Sequence, residues 1–308
     1  MKVEPWHQTP WDWRAAIQFI CGGTGTGLLF FTALAAWQEP ARLARTGWLA
    51  LAFVCVGLLF VWLKLGRRWR ALFVILNPRT SWMSREALLS LPLLGLGLAA
   101  VWLRSPTIGL IAAVCGLCFL YAQAQMLKAA RGIPAWREPL IVPLIFLTGL
   151  TEGASLLLAS NLWLRSPGLP AVAGYRLQPE VAYKAGWWLP GALFLLLVIR
   201  LSVWVAYRRK LGAPGAAPVN TAVVLNAVNQ AVLWPGHIIP LVVLLLAVIL
   251  PAGTAILGLV AGLAALLAGW FLKFTIVARA AYNQGFALAH TPARTPGYGG
   301  PGTKPGWE

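Results

Sequence analysis

The sequence predicts an all-α integral membrane protein, and three observations carry that prediction. Hydrophobic residues make up 59% of the chain and charged residues 11%, with a mean hydropathy of +0.73, whereas about a quarter of an average soluble domain is charged. The apolar residues fall into eight runs of the length that crosses a bilayer, since a hydrocarbon core about 30 Å thick takes roughly 20 residues at about 1.5 Å each. Lys and Arg gather at the ends of those runs, where charge stays outside the hydrocarbon.

The eight spans are expected near 14–37, 47–65, 85–103, 106–128, 139–161, 185–207, 230–251 and 253–275, arranged as two four-helix bundles. Residues 1–13 precede this membrane domain (14–289), and a flexible tail, 290–308, follows it. The start MKVEPWHQTPWDWR is long, polar and Trp-rich and does not resemble a cleavable signal peptide, so the first span is expected to stay. Trp11 and Trp13 suit the interface at its start. Gly22, Gly23, Gly25 and Gly27 then form a smooth strip that lets another backbone, or a flat ring, come close. With no strand before it, this strip does not fit a phosphate-binding loop. Pro40, Pro106, Pro139, Pro167 and Pro251 mark helix ends. Between spans five and six, 162–184 has Pro and Gly enough for a lid without regular structure. Residues 208–220 read as a basic hinge, and the Pro/Gly-rich tail has little to bury.

The net charge of +17 is explained better by topology than by nucleic-acid binding. If the spans alternate, one side of the membrane collects eighteen Lys and Arg, and the other has six (Arg42, Arg45, Arg104, Arg165, Arg176 and Lys184). The positive-inside rule places the richer side, with both termini, in the cytoplasm. The stretch from Lys64 to Glu86 is the most basic part of that side, with Lys64, Arg67, Arg68, Arg70, Arg79 and Arg85 against one acid.

Ionisable groups inside a span are functional candidates. Glu152 is the clearest, as a proton relay or as a structural partner of Arg200 or Lys273. Glu86 is either a proton acceptor beside a substrate or a first-turn carboxylate complementing the helix dipole. Lys64 either snorkels or donates a hydrogen bond to a buried oxygen. Tyr121, Gln123 and Gln125 are polar positions in span four, and the two glutamines face different sides of a helix. His237 is the one histidine within a span, with His7 and His290 in the polar ends. A transmembrane haem needs a pair of axial ligands, so haem is not expected. Cys21, Cys55, Cys115 and Cys118 all sit in apolar runs and read as packed small side chains rather than disulfides or metal ligands. No nucleophile sits with its base.

The segments KLGRRWRAL, NPRTSWMSREAL and KAARGIPAWREPLIVPLIFLTGLTEG resemble the membrane-anchor subunits of dimethyl-sulfoxide-reductase-type molybdenum enzymes, within the NrfD-like polysulfide-reductase superfamily. The resemblance covers roughly residues 10–290. It implies a quinone-reactive anchor in a bacterial or archaeal cytoplasmic (inner) membrane. Ubiquinone or menaquinone would bind in this chain, with an iron–sulfur ferredoxin-like subunit and a molybdopterin catalytic subunit as partners on the cytoplasmic face. The chain itself would hold no haem or metal, and the molybdenum chemistry would lie in a partner.

In such anchors a histidine ending span two and a glutamate opening span three lie at the quinone pocket. Here Glu86 takes the second position, and Lys64 stands in place of the histidine. Tyr121, Gly23 and Gly27 are expected to line the same pocket. Glu86 and Glu152 would form a proton path, and Arg67, Arg68, Arg70, Arg79 and Arg85 would dock the partner. The start WDWRAAIQFICGGTGTGLL and the end AAYNQGFALAH are similar to the anchor of phenylacetyl-CoA:acceptor oxidoreductase, with the cytoplasmic sulfite dehydrogenase anchor as the alternative. From another class, a small-solute secondary transporter would also fit eight spans and an intramembrane Glu152.

Overall fold

The computed structural model describes residues 4–65, 68–163, 188–250 and 253–285. Eight helical stretches among these are long and apolar enough to cross a membrane, and the protein is a multi-pass membrane protein. The helices are α1 (Trp13–Ala36), α2 (Trp48–Lys64), α3 (Trp82–Leu103), α4 (Pro106–Ala129), the single turn α5 (Pro134–Arg137), α6 (Ile141–Trp163), α7 (Trp188–Leu211), α8 (Val219–Leu233), α9 (Ile239–Ile249) and α10 (Thr254–Phe274). A π turn, Leu43–Gly47, leads into α2. Another, Trp234–Ile238, joins α8 and α9 into one span, and a third, Thr275–Arg279, extends α10.

Local sequence explains the ends. Asp12 caps α1 by accepting from the Arg14 N–H (3.0 Å), Ser81 caps α3, and Ser105 caps α4 ahead of Pro106 at its first position. The seventh span starts at Val219 rather than near 230, which confines the hinge to the turn after α7. Most of the expected 162–184 lid and all of the 290–308 tail lie outside the described residues.

The hub is α1, which packs against α2, α4, α6 and α10. Its glycines let each neighbour in. A Cβ at Gly25 would lie 2.6 Å from the Ala50 carbonyl oxygen of α2, and one at Gly27 would overlap the Gly149 carbonyl of α6. Of the two occupants foreseen for the strip, at Gly23 and Gly27 it is helix and side chain rather than a ring that fills the space. Cys21 is buried, but Cys55 and Cys118 are exposed, because α2 and α4 each turn one face outward; the reading of all four as packed core is corrected there.

Two apolar cores stack along the bundle axis. One holds Phe19, Leu127, Trp136, Leu144, Trp204, Tyr207 and Ile276; the other holds Leu28, Val54, Leu93, Phe119, Leu157, Leu197 and Ala265. The polar tips of the first core's large aromatics are satisfied, Trp136 Nε1 by the Ile276 carbonyl (2.8 Å) and Tyr207 Oη by the Ala135 carbonyl (2.7 Å). Between the cores, α1, α3, α4, α6, α7, α10 and the Trp234–Ile238 turn each contribute buried polar side chains: Gln18, Thr24, Glu86, Gln123, Glu152, Arg200, His237 and Lys273. A layer of buried polar side chains thus crosses the protein.

Candidate functional site

The polar layer is built outward from α1. In a helix the carbonyl of residue i lies beneath residue i+4, and a glycine at i+4 uncovers it. Gly22 uncovers the Gln18 carbonyl, which accepts from Gln123 Nε2 of α4 (3.3 Å). Gly23 uncovers the Phe19 carbonyl, which accepts from Lys273 Nζ of α10 (3.0 Å). A Cβ at Gly22 would overlap the Gln123 amide, and one at Gly23 the Lys273 ammonium. Sequence CGGTGTG therefore reads as windows for polar side chains as much as a packing strip.

On one side of α1 the Gln18 amide N–H donates to Glu86 Oε1 of α3. Glu86 is 4% exposed and stands past the first turn of its helix, so it ends in the protein interior rather than complementing the helix dipole. Gln18 Oε1 and Gln123 Oε1 have no hydrogen-bond partner among the described residues. The Gln18 oxygen reaches α2, where a Cβ on Gly57 would lie 2.8 Å from it. This cluster is one carboxylate with two open acceptors beside it, an environment that suits a ligand bearing O–H donors.

On the other side lies a closed ion pair. Lys273 Nζ donates to Glu152 Oε2 at 2.6 Å, both side chains being fully buried. The same oxygen accepts from Thr24 Oγ1 (2.9 Å), which in turn accepts from Trp270 Nε1 (2.9 Å). Of the two cations weighed for Glu152, Lys273 is the partner. Lys273, one of the eighteen Lys and Arg counted on the richer side, is thus fully buried and does not add to that side's surface charge. Arg200 instead meets His237: Nε donates to His237 Nε2 (3.0 Å), Nη2 to the Gly236 carbonyl (2.7 Å), and His237 Nδ1 lies 2.8 Å from the Val232 carbonyl. His237 sits in the π turn Trp234–Ile238, whose Pro235 has no N–H to offer the preceding turn.

The structure does not bring Lys64 and Glu86 together. Lys64 ends α2 with its ammonium 5.2 Å from the Trp11 ring centroid, whereas Gln18, which holds Glu86, is level with Gly57. Seven residues of helix, about 10 Å, separate the two levels. Tyr121 faces outward, edge-on to Trp82 (5.8 Å) and accepting from Gln125 Nε2 (2.6 Å). It lines a groove of about 690 Å³ between α3, α4 and α6, with Trp82, Arg85, Leu89, Cys118 and Phe146 among the walls. Neither Glu86 nor Gln123 is among its walls.

The basic stretch is partly helical. A 3₁₀ segment, Arg68–Leu76, exposes Trp69 (91%) and Phe73 (64%). Arg85 does not project for docking as expected. Its guanidinium stacks over Trp82 (4.1 Å) and donates to the Pro78 and Arg79 carbonyls (2.7 and 2.9 Å). Arg79 is exposed, Arg67 lies outside the described residues, and Arg68 and Arg70 stand on the 3₁₀ segment. Among the described residues no three His, Cys, Asp or Glu side chains converge on a metal-sized site.

Sequence reasoning passed over Gln18, Thr24 and Trp270, all three partners in this layer. A polar residue four before the first of two adjacent glycines was the available signal for Gln18.

Residues 3–122 match the family described as "Polysulphide reductase, NrfD". No curated protein matches the chain. The matched stretch contains Gln18, Lys64, Glu86, Tyr121 and the glycine windows, whereas Glu152, Arg200, His237 and Lys273 lie beyond it.

Proposed function

We propose that the chain is the quinone-reactive membrane subunit of a reductase-type complex, passing electrons from an iron–sulfur partner to membrane quinone. The observation that carries this reading is the Glu86–Gln18–Gln123 cluster, a buried carboxylate with two unpaired amide oxygens beside it, of which Glu86 and Gln18 lie inside the stretch that matches a reductase family and Gln123 immediately follows it. Its acceptor-rich character fits a quinol head, whose hydroxyls need acceptors. Quinone, when bound, supplies two-electron, two-proton redox chemistry.

The chain's residues do the rest. Glu86 exchanges a proton with the head-group oxygen, and Gln18 and Gln123 orient it. Lys64, nearer the membrane surface, offers a cationic donor. The groove walled by Trp82, Arg85 and Tyr121, on the lipid-facing side of α3 and α4, falls in the range of about 300–1,000 Å³ usual for small-molecule sites and gives the quinone a first resting place before it reaches Glu86; Gly23 and Gly27 are not part of this pocket. Glu152, paired with Lys273, continues a proton path deeper into the membrane. The Arg68–Leu76 segment with Arg79 forms the docking face, on the cytoplasmic side by the positive-inside rule. The chain's two ends favour phenylacetyl-CoA oxidation as the reaction served, with molybdopterin and iron–sulfur clusters in the partners.

Glu86→Gln in the assembled complex tests the reading. Quinone-coupled turnover should fall about a hundredfold, the usual loss when a proton-transferring group is removed, while reduction of a soluble dye by the catalytic subunit persists. Equal loss of both activities would refute a quinone role for Glu86.

A further inference from the structure

The polar layer contains two ion clusters that stop short of one another. Glu152 commits Oε2 to Lys273 and Thr24, but Oε1 has no hydrogen-bond partner among the described residues. Arg200 commits Nε to His237 and Nη2 to the Gly236 carbonyl, but Nη1 has none. Ser155, three residues along α6 from Glu152 and on the same helix face, has an unpaired hydroxyl as well. Glu152 and Ser155 are fully buried, and Arg200 is 1% exposed.

The guanidinium and the carboxylate form no direct ion pair among the described residues, and both lie against the Ala268–Gly269 turn of α10. The residues around them are small. A Cβ on Gly269 would lie 3.0 Å from Glu152 Oε1, and one on Gly236 would lie 3.0 Å from the Ala268 methyl and 3.9 Å from Arg200 Nη2.

Leaving a buried donor or acceptor unpaired forfeits its hydration without replacement, and the loss is greater when the group is charged. Here a charged donor, a charged acceptor and a hydroxyl are left buried among membrane spans, where hydrocarbon offers no substitute. An anion at this point would face the Glu152 oxygen, and a metal cation would face the guanidinium. Water accepts from one and donates to the other, and two to four polar partners are what an internal water takes.

We infer that an internal water site lies between Glu152, Ser155 and Arg200, joining the Lys273–Glu152 pair to the Arg200–His237 pair. Hydrogen bonds then run unbroken from Lys273 and Thr24 through Glu152 and Arg200 to His237 in the Trp234–Ile238 turn. The water also gives Glu152 a proton-exchange partner other than Lys273, a consequence that rests on the proposed proton path; the hydration itself does not.

Near-atomic maps of the purified complex test this directly, in the wild type and in Arg200→Met and Ser155→Val. A solvent peak within hydrogen-bond distance of both Glu152 Oε1 and Arg200 Nη1 is expected in the wild type, lost in Arg200→Met and weakened or displaced in Ser155→Val. A dry gap, or direct contact between Glu152 and Arg200, would overturn the proposal. Should Arg200→Met fail to fold, the wild-type and Ser155→Val maps still decide. Because no turnover is read, a failure here is separable from a failure of the Glu86→Gln assay.

Discussion

The glycines of α1 act individually. Gly23 matters because the Lys273 ammonium occupies the place of its missing Cβ and reaches the Phe19 carbonyl. Gly23→Ala should displace Lys273 and weaken the bonds that hold a buried charge, lowering stability by about 2–4 kcal/mol. Gly95 on α3 is the matched control: a Cβ there meets nothing within 4 Å, so Gly95→Ala should be neutral or stabilising by up to about 1 kcal/mol. Thermal unfolding of both variants in detergent measures the difference, and equal melting temperatures would contradict the window role. This distinction was not legible in the sequence. Glycine spacing announced close approach, but whether ring, backbone or ammonium approached depended on α10, some 250 positions away in the chain. Glu152 shows the same limit, since its membrane depth marked it as special while the choice between Lys273 and Arg200 needed three dimensions.

Secondary elements were far more legible, because span length and proline punctuation are local. Seven of the eight expected spans coincide closely with helices. The seventh misled because the polar residues of α8, including Asn220, Asn226 and Asn229, broke the hydropathy pattern. Two of them have partners: half-buried Asn229 accepts from Trp204 Nε1 (3.2 Å) and exposed Asn226 from Arg208 Nη2 (2.6 Å). Helix ends make their own prediction. The Arg14 side chain hydrogen-bonds to Asp12 and holds its carboxyl below the usual range, while the same carboxylate caps α1. Asp12→Ala should cost about 1 kcal/mol at neutral pH. Since the folded value lies below the unfolded one, that contribution is complete above the unfolded pKa and disappears as pH falls through the folded pKa. Wild-type and variant melting temperatures should therefore converge in acid, and a gap that persists there would count against the cap.

At the scale of the whole molecule, eight spans place the Arg68–Leu76 segment and the turn after α7 on one side and the α1–α2 connection on the other. In a cysteine-less background, cysteines at Thr80 and Ala216 should resist an impermeant maleimide in intact cells and react in inverted vesicles, while one at Gln38 should do the reverse; the opposite pattern would overturn the cytoplasmic assignment. The central position of α1 also bears on how the protein is made. It is among the least apolar of the eight spans and the most enclosed, yet it is made before the other seven, and α10, which supplies Lys273, follows them all. A nascent α1 must keep Gln18, Thr24 and its bare carbonyls at the translocon or under an insertase until synthesis ends. Chains truncated before Thr254 would strand Glu152 without its cation and become substrates for membrane quality-control proteases.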